Sequence, residues 1–143
     1  MSNQIIYTEL RTRYITGWSP VLTQYPNESF TKPGDTNPST GIKVPMQIWG
    51  RFTVDCGEEK QLDIGTEIKT FRTAGELIIQ LFAPLNTGSI AIRSIAKTVA
   101  DMFRNWCGTT ITCRESSTQD VGFDGFGWYQ MNVRVPFKTD ALH

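Results

Sequence analysis

With 143 residues, 39% of them hydrophobic, the chain is long enough for one domain with its own core, and no apolar run approaches the ~18 residues of a membrane-spanning helix. Fourteen basic residues balance fourteen acidic ones, with 7 and 8 in residues 1–71 and 7 and 6 in residues 72–143. There is therefore no basic footprint of the kind that neutralising nucleic-acid phosphates requires.

The start, MSNQIIYTEL, has neither a basic n-region nor an apolar h-region, so no signal peptide is expected. Residues 3 to 16 predict a short helix: Ile6, Leu10 and Tyr14 (or Arg13) recur at i, i+4 and i+8, Asn3 or Ser2 caps it, and Gly17 ends it. Residues 17 to 45 form a Pro/Gly-rich loop, because Pro20, Pro26, Pro33, Pro38 and Pro45 forbid a continuous helix or a central strand. A loop of that length is usually functional or disordered.

MQIWGRFTVD, residues 46 to 55, alternates as a half-buried strand, with Trp49 on its more polar face. The charged block after it reads as a hairpin tip with a weak edge strand near Gln61–Ile64. ELIIQLFAP, Glu76 to Pro84, suits a central strand. The clearest helix spans about 89–107: Ser89 caps it, Ile92, Ile95, Val99, Met102, Phe103 and Trp106 form one stripe, and Gly108 stops it. TTITCRE follows as a strand. After a polar loop, Tyr129, Met131, Val133, Val135 and Phe137 alternate with Trp128, Gln130, Asn132 and Arg134, the strongest strand signal in the chain. Pro136 places that strand's end at an edge or terminus. The order predicts a single α+β domain, 1–143: a mostly antiparallel sheet with one long helix and a short N-terminal helix packed on it.

The catalytic inventory is poor. His143, the only histidine, is terminal, so a triad lacks its base. GFDGFG is not GxGxxG, and the faint calcium-loop pattern at Asp120 and Asp124 lacks its closing glutamate. Glu58, Glu59 and Asp63 read as solvated charge at the hairpin tip. Cys56, Cys107 and Cys113 form no CxxC and read as small hydrophobes in a reducing compartment; a Cys107–Cys113 disulfide stays open. No metal, cofactor or catalysis is expected. What remains is surface: Phe123, Phe126 and Trp128 sit among glycines that cannot bury them locally, and Trp49 and Trp128 fall on polar faces. A layer covering that face is the alternative. Trp49, Arg72, Phe123, Phe126 and Trp128 are the candidate interface residues. On this reading Trp128→Ala or Phe126→Ala weakens assembly more than folding.

Several pieces, in order, carry a resemblance. GWSPVLTQYPNESFTKP holds an aromatic-Pro-Asn turn and a proline-rich lead into a strand. GELIIQLFAPLNTGSIAIRSIAKTVADMFRNW holds an apolar strand, a Pro and Gly turn, and a helix ending in acidic-x-Phe. GFDGFGWYQMNVRVPFKTD holds a Gly-rich turn, a Trp-Tyr-Gln strand and a Val-x-Val-Pro-Phe close. Together they resemble the tail terminator, or tail completion, proteins of tailed bacteriophages. The resemblance implies a curled sheet backed by helices and a hexameric ring. That ring caps the head-proximal end of the tail tube, stops tube polymerisation and docks the head connector. The implied partners are further copies of the chain, the tail tube protein and a neck protein, with DNA only passing through the lumen and no membrane. The implied location is the virion, and the host cytoplasm during assembly. A head–tail joining or tube component is the alternative, followed by a small ligand-binding protein or enzyme using the 116–127 loop.

Overall fold

A computed structural model describes residues 3–16, 21–61, 70–108 and 111–142. The expected helix stop at Gly17, the Ser2 cap, most of the weak strand near Gln61–Ile64, Asp63, the first two residues of TTITCRE and His143 lie outside the described residues. The elements run α1 (Asn3–Thr16), β1 (Leu22–Gln24), β2 (Trp49–Gln61), β3 (Thr70–Pro84), α2 (Ile90–Phe103), β4 (Ile111–Cys113), β5 (Ser117–Phe123) and β6 (Trp128–Leu142).

The strands form one open, mixed sheet in the order β1-β2-β3-β6-β4, with β5 pairing β6 beyond β4. Only β1 runs parallel to its neighbour; the other pairings are antiparallel, as expected. β3, the expected central strand, pairs along its whole length with β6, from Thr70↔Leu142 to Pro84↔Trp128.

Register assigns the faces. Phe52, Ile79 and Val133 stand side by side, as do Val54, Leu77 and Val135, and they point to the helices. Ile6, Leu10 and Tyr14 of α1 and Ile92, Val99 and Phe103 of α2 close over that face in one continuous core. The α1 stripe was legible at i, i+4, i+8; its Tyr14 ring packs on Phe52 with centroids 5.4 Å apart, and the adjacent Tyr7 meets the same ring at 5.9 Å.

Five expectations are corrected. The helices are not one long and one short: each has 14 residues. α2 ends at Phe103, four residues early, because Asn105 turns left-handed at φ 52° and the chain leaves the axis before Gly108. Ser89 sits at the N-cap position, but its hydroxyl makes no cap bond and instead accepts from Arg93 Nε at 3.1 Å. The block CGEEKQ is no tip: β2 continues through it across a bulge between Cys56 and Glu59.

Pro136 is likewise interior rather than terminal. β3 flanks it on one side, while β4 and β5 pave the other edge of β6 in succession. Pro136 lies between their registers, and its carbonyl accepts from Arg114 N at 2.8 Å. N–H and C=O of one extended residue point the same way, so the missing proline donor falls in the gap between β4 and β5.

Gly75 on β3 faces Cys56 of β2 and leaves no room for a side chain. A Cβ there would lie 2.5 Å from Asp55 O and 2.7 Å from the Phe137 ring. Gly75→Ala is therefore expected to cost about 1–3 kcal/mol through overpacking. The readout is a lowered urea midpoint at unchanged slope; an unmoved midpoint would show that the strands separate freely there.

Candidate assembly surface

Among the described residues, no helix lies on the sheet face opposite α1 and α2. Along it Arg51, Gln80 and Asn132 align across β2, β3 and β6, followed by Thr53, Ile78 and Arg134. Arg51 donates to the amide oxygens of Gln24 at 3.1 Å and Gln80 at 3.4 Å, while Arg134 pairs with Glu76 at 2.7 Å.

At one end of this face lies a second, smaller apolar cluster of Trp49, Phe82 and Trp128, with Phe30 packed against it. Trp49 stacks on Phe82 at 4.4 Å and 17°, and meets Trp128 edge-on at 6.0 Å. The proline-rich loop brings Phe30 onto Trp49 at 5.4 Å and the Lys32 ammonium to 5.8 Å from the Trp128 ring. Arg51 lies 5.8 Å from the Trp49 ring and 5.6 Å from that of Phe82. Cations over aromatic faces at this range attract the ring quadrupole.

The β5–β6 hairpin adjoins the cluster. Its turn is built by Asp124, whose Oδ1 accepts from Phe126 N at 2.7 Å and Trp128 N at 3.1 Å. Gly125 and Gly127 take φ 88° and 94°, where a side chain would be strained. So fixed, the hairpin presents Phe123 at 63% exposure and Phe126 at 83%.

The hairpin is also tied to α2. The Tyr129 hydroxyl donates to Asp120 Oδ1, and Arg93 donates to Asp120 Oδ2 at 2.5 Å and to the Tyr129 oxygen at 3.2 Å. The Tyr129 hydroxyl first, then the Arg93 guanidinium, hold the Asp120 carboxyl below the usual carboxylate range. The lowered pKa means the tie holds at neutral pH and is lost as pH falls through that value. Asp120→Asn is expected to lower the amide protection factors over 122–128 at fixed pH, as acid lowers them in the native chain. Unchanged exchange would mean that the turn alone holds the hairpin.

The five candidate residues thus separate into three groups. Phe123 and Phe126 are exposed together. Trp49 and Trp128 lie on the open face, but at 3% and 4% exposure they are interior to the subunit, covered by the loop. Burial of Trp128 runs against the expectation that Trp128→Ala weakens assembly more than folding. Arg72, engaged in an interaction of its own, sits ten residues from Phe82 along β3, about 33 Å away at strand rise, and is not brought to the others. Phe30, Lys32, Arg51 and Phe82 were missed. The alternation in ELIIQLF, which turns Ile78, Gln80 and Phe82 to the second face, was the available signal.

All three cysteines are free thiols, including Cys107 and Cys113, and burial pushes the Cys113 thiol up to about 12. Among the described residues no three His, Cys, Asp or Glu side chains gather as metal ligands.

Residues 6–137 match the model of a family described as phage tail terminator protein. A solved structure 16% identical in sequence shares the fold, with a TM-score of 0.63 over 97% of this chain and 96% of that one. No curated protein sequence matches the chain.

Proposed function

The chain belongs to the phage tail terminator family and is a structural component of the virion tail; from this premise we propose that it assembles as a ring, hexameric by its family resemblance. The ring caps the head-proximal end of the tail tube, halts tube growth and offers the head connector its docking surface. A closed ring needs two different surfaces on each subunit, one meeting the other's counterpart next door. The observation that carries this reading is the fixed hairpin holding Phe123 and Phe126 in solvent, since exposed aromatics on a rigid support are the residues interfaces concentrate on. The balanced net charge suits a lumen that passes DNA without retaining it.

Deleting the gene from its phage tests the role. Overlong tails are expected, restored to normal length by the wild-type chain. Headless tails of normal length would instead assign it to head–tail joining.

A further inference from the structure

One buried donor has nothing to donate to. Among the described residues no acceptor meets Trp49 Nε1, and the atom is closed off from solvent. An unpaired N–H held away from water gives up its hydration with nothing in return. Three rings surround the indole: Phe82 and Trp128 stand on the sheet, and Phe30 comes from the proline-rich loop. While β2, β3 and β6 stay paired, the loop is the wall that is free to move.

Residues 30–44 are built as a strap. Their backbone bonds close on themselves: Gly34 N donates to Val44 O and Val44 N to Asp35 O, each at 2.8 Å, Asn37 N donates to Ile42 O at 2.9 Å, and Thr36 bridges Lys43. Among the described residues, no hydrogen bond joins this ribbon to the sheet. The foot of the strap holds on through the Phe30 ring against Trp49, the Lys32 ammonium over Trp128, and a buried Pro33. Residues 38–43 are exposed throughout. Clefts of about 420 Å³ and about 270 Å³ are both bordered by Lys32, Trp49 and Arg51, and the larger has Thr31, Asp35 and Thr36 of the strap as its other wall. The strap is therefore gripped at a few points and not packed along its length.

We infer that residues 30–44 are a lid that lifts from a sheet that stays folded, uncovering Trp49, Phe82 and Trp128. A segment with few buried apolar contacts and with its hydrogen bonds internal to itself opens well below the free energy of global unfolding. The orphan N–H acts in the same direction, because water pairs with it once the lid is up. The inference concerns the single subunit and is independent of how many copies assemble.

Hydrogen exchange of the Trp49 indole proton, followed by NMR at low urea, tests it. Its protection is expected to be at least roughly a hundredfold below that of the Ile79 and Val133 amides, with a far smaller urea slope, since lifting the lid exposes little surface. Two variants separate a lid from global unfolding. Ile79→Val weakens the sheet whether the lid is up or down, so it is expected to speed the Val133 amide by roughly two- to tenfold and leave the Trp49 proton unmoved. Phe30→Ala weakens only the closed lid, so it is expected to speed both protons by one common factor. A Trp49 proton that tracks the Val133 amide in slope and in its response to Ile79→Val would overturn the inference, the cluster then opening only as the sheet unfolds. So would a fast Trp49 proton that Phe30→Ala leaves unmoved, since water would then enter through the clefts past a closed lid. Lys32→Ala, which loosens the same foot, repeats the measurement if Phe30→Ala disturbs the sheet.

Discussion

Val133→Asp is expected to abolish the cooperative unfolding transition of the subunit. Val133 is fully buried on β6, paired with Ile79 of β3 on one side and Thr118 of β5 on the other. Leu77, Leu81, Val135 and Phe52 belong to the same continuous core. Its core neighbours among the described residues are apolar and offer an ionised carboxylate no cation, and burying it costs several kcal/mol. That is comparable to the ~5–15 kcal/mol by which a whole domain is stable. The group would escape by staying protonated, its pKa raised by desolvation. The harm is therefore greatest at neutral pH and is relieved as pH falls through the raised pKa. Near-ultraviolet circular dichroism and urea melts at pH 7 and pH 4.5 would show this; a native-like melt at pH 7 would mean that β6 is not the core strand its register makes it.

That core was readable because local pattern and burial agree. Alternation in YQMNVRVPF, the apolar run ELIIQLF and the helical stripe from Ile92 each point one set of side chains one way, and the fold buries those sets. β5 was not readable, because SSTQDVGF is solvated along most of its length and has no apolar alternation. Its strand state comes from pairing with β6, a tertiary cause that propensity does not register. β1 is three residues long and parallel to a partner some 27 positions away, which no local window contains. The extension of β2 through CGEEKQ has the same origin: β3, held by β6 on its other side, carries the ladder past glycine and charge.

The assembly surface shows the same division. Positive-φ glycines and an Asx turn mark the hairpin that exposes Phe123 and Phe126, and such turn chemistry is local. Alternation also places Trp49 and Trp128 on the second face correctly. It does not say what covers that face, because the cover is a loop folded back from residues 30–38.

Trp128→Ala and Phe126→Ala, two positions apart, are therefore expected to fail differently. Trp128 fills the space beside Trp49 at the end of β6 and receives Lys32 over its ring. Truncating it opens a cavity in the second cluster and uncovers Phe82 and Phe30, at a cost of about 3–5 kcal/mol, typical of large aromatic to alanine changes in a core. The urea midpoint should fall sharply, and capping of tubes should fail because the subunit no longer folds firmly. Phe126, with most of its ring in solvent, should change stability by no more than about 0.5 kcal/mol. Its loss should appear only on the tube, where removing a seated aromatic of about 2 kcal/mol weakens capping by roughly thirty-fold. Measuring both variants by urea melt and by tube binding separates the two jobs of one short segment. Should Trp128→Ala melt like the native chain yet fail to cap, the indole itself must reach a neighbour, and the 30–38 loop must swing off the open face on assembly.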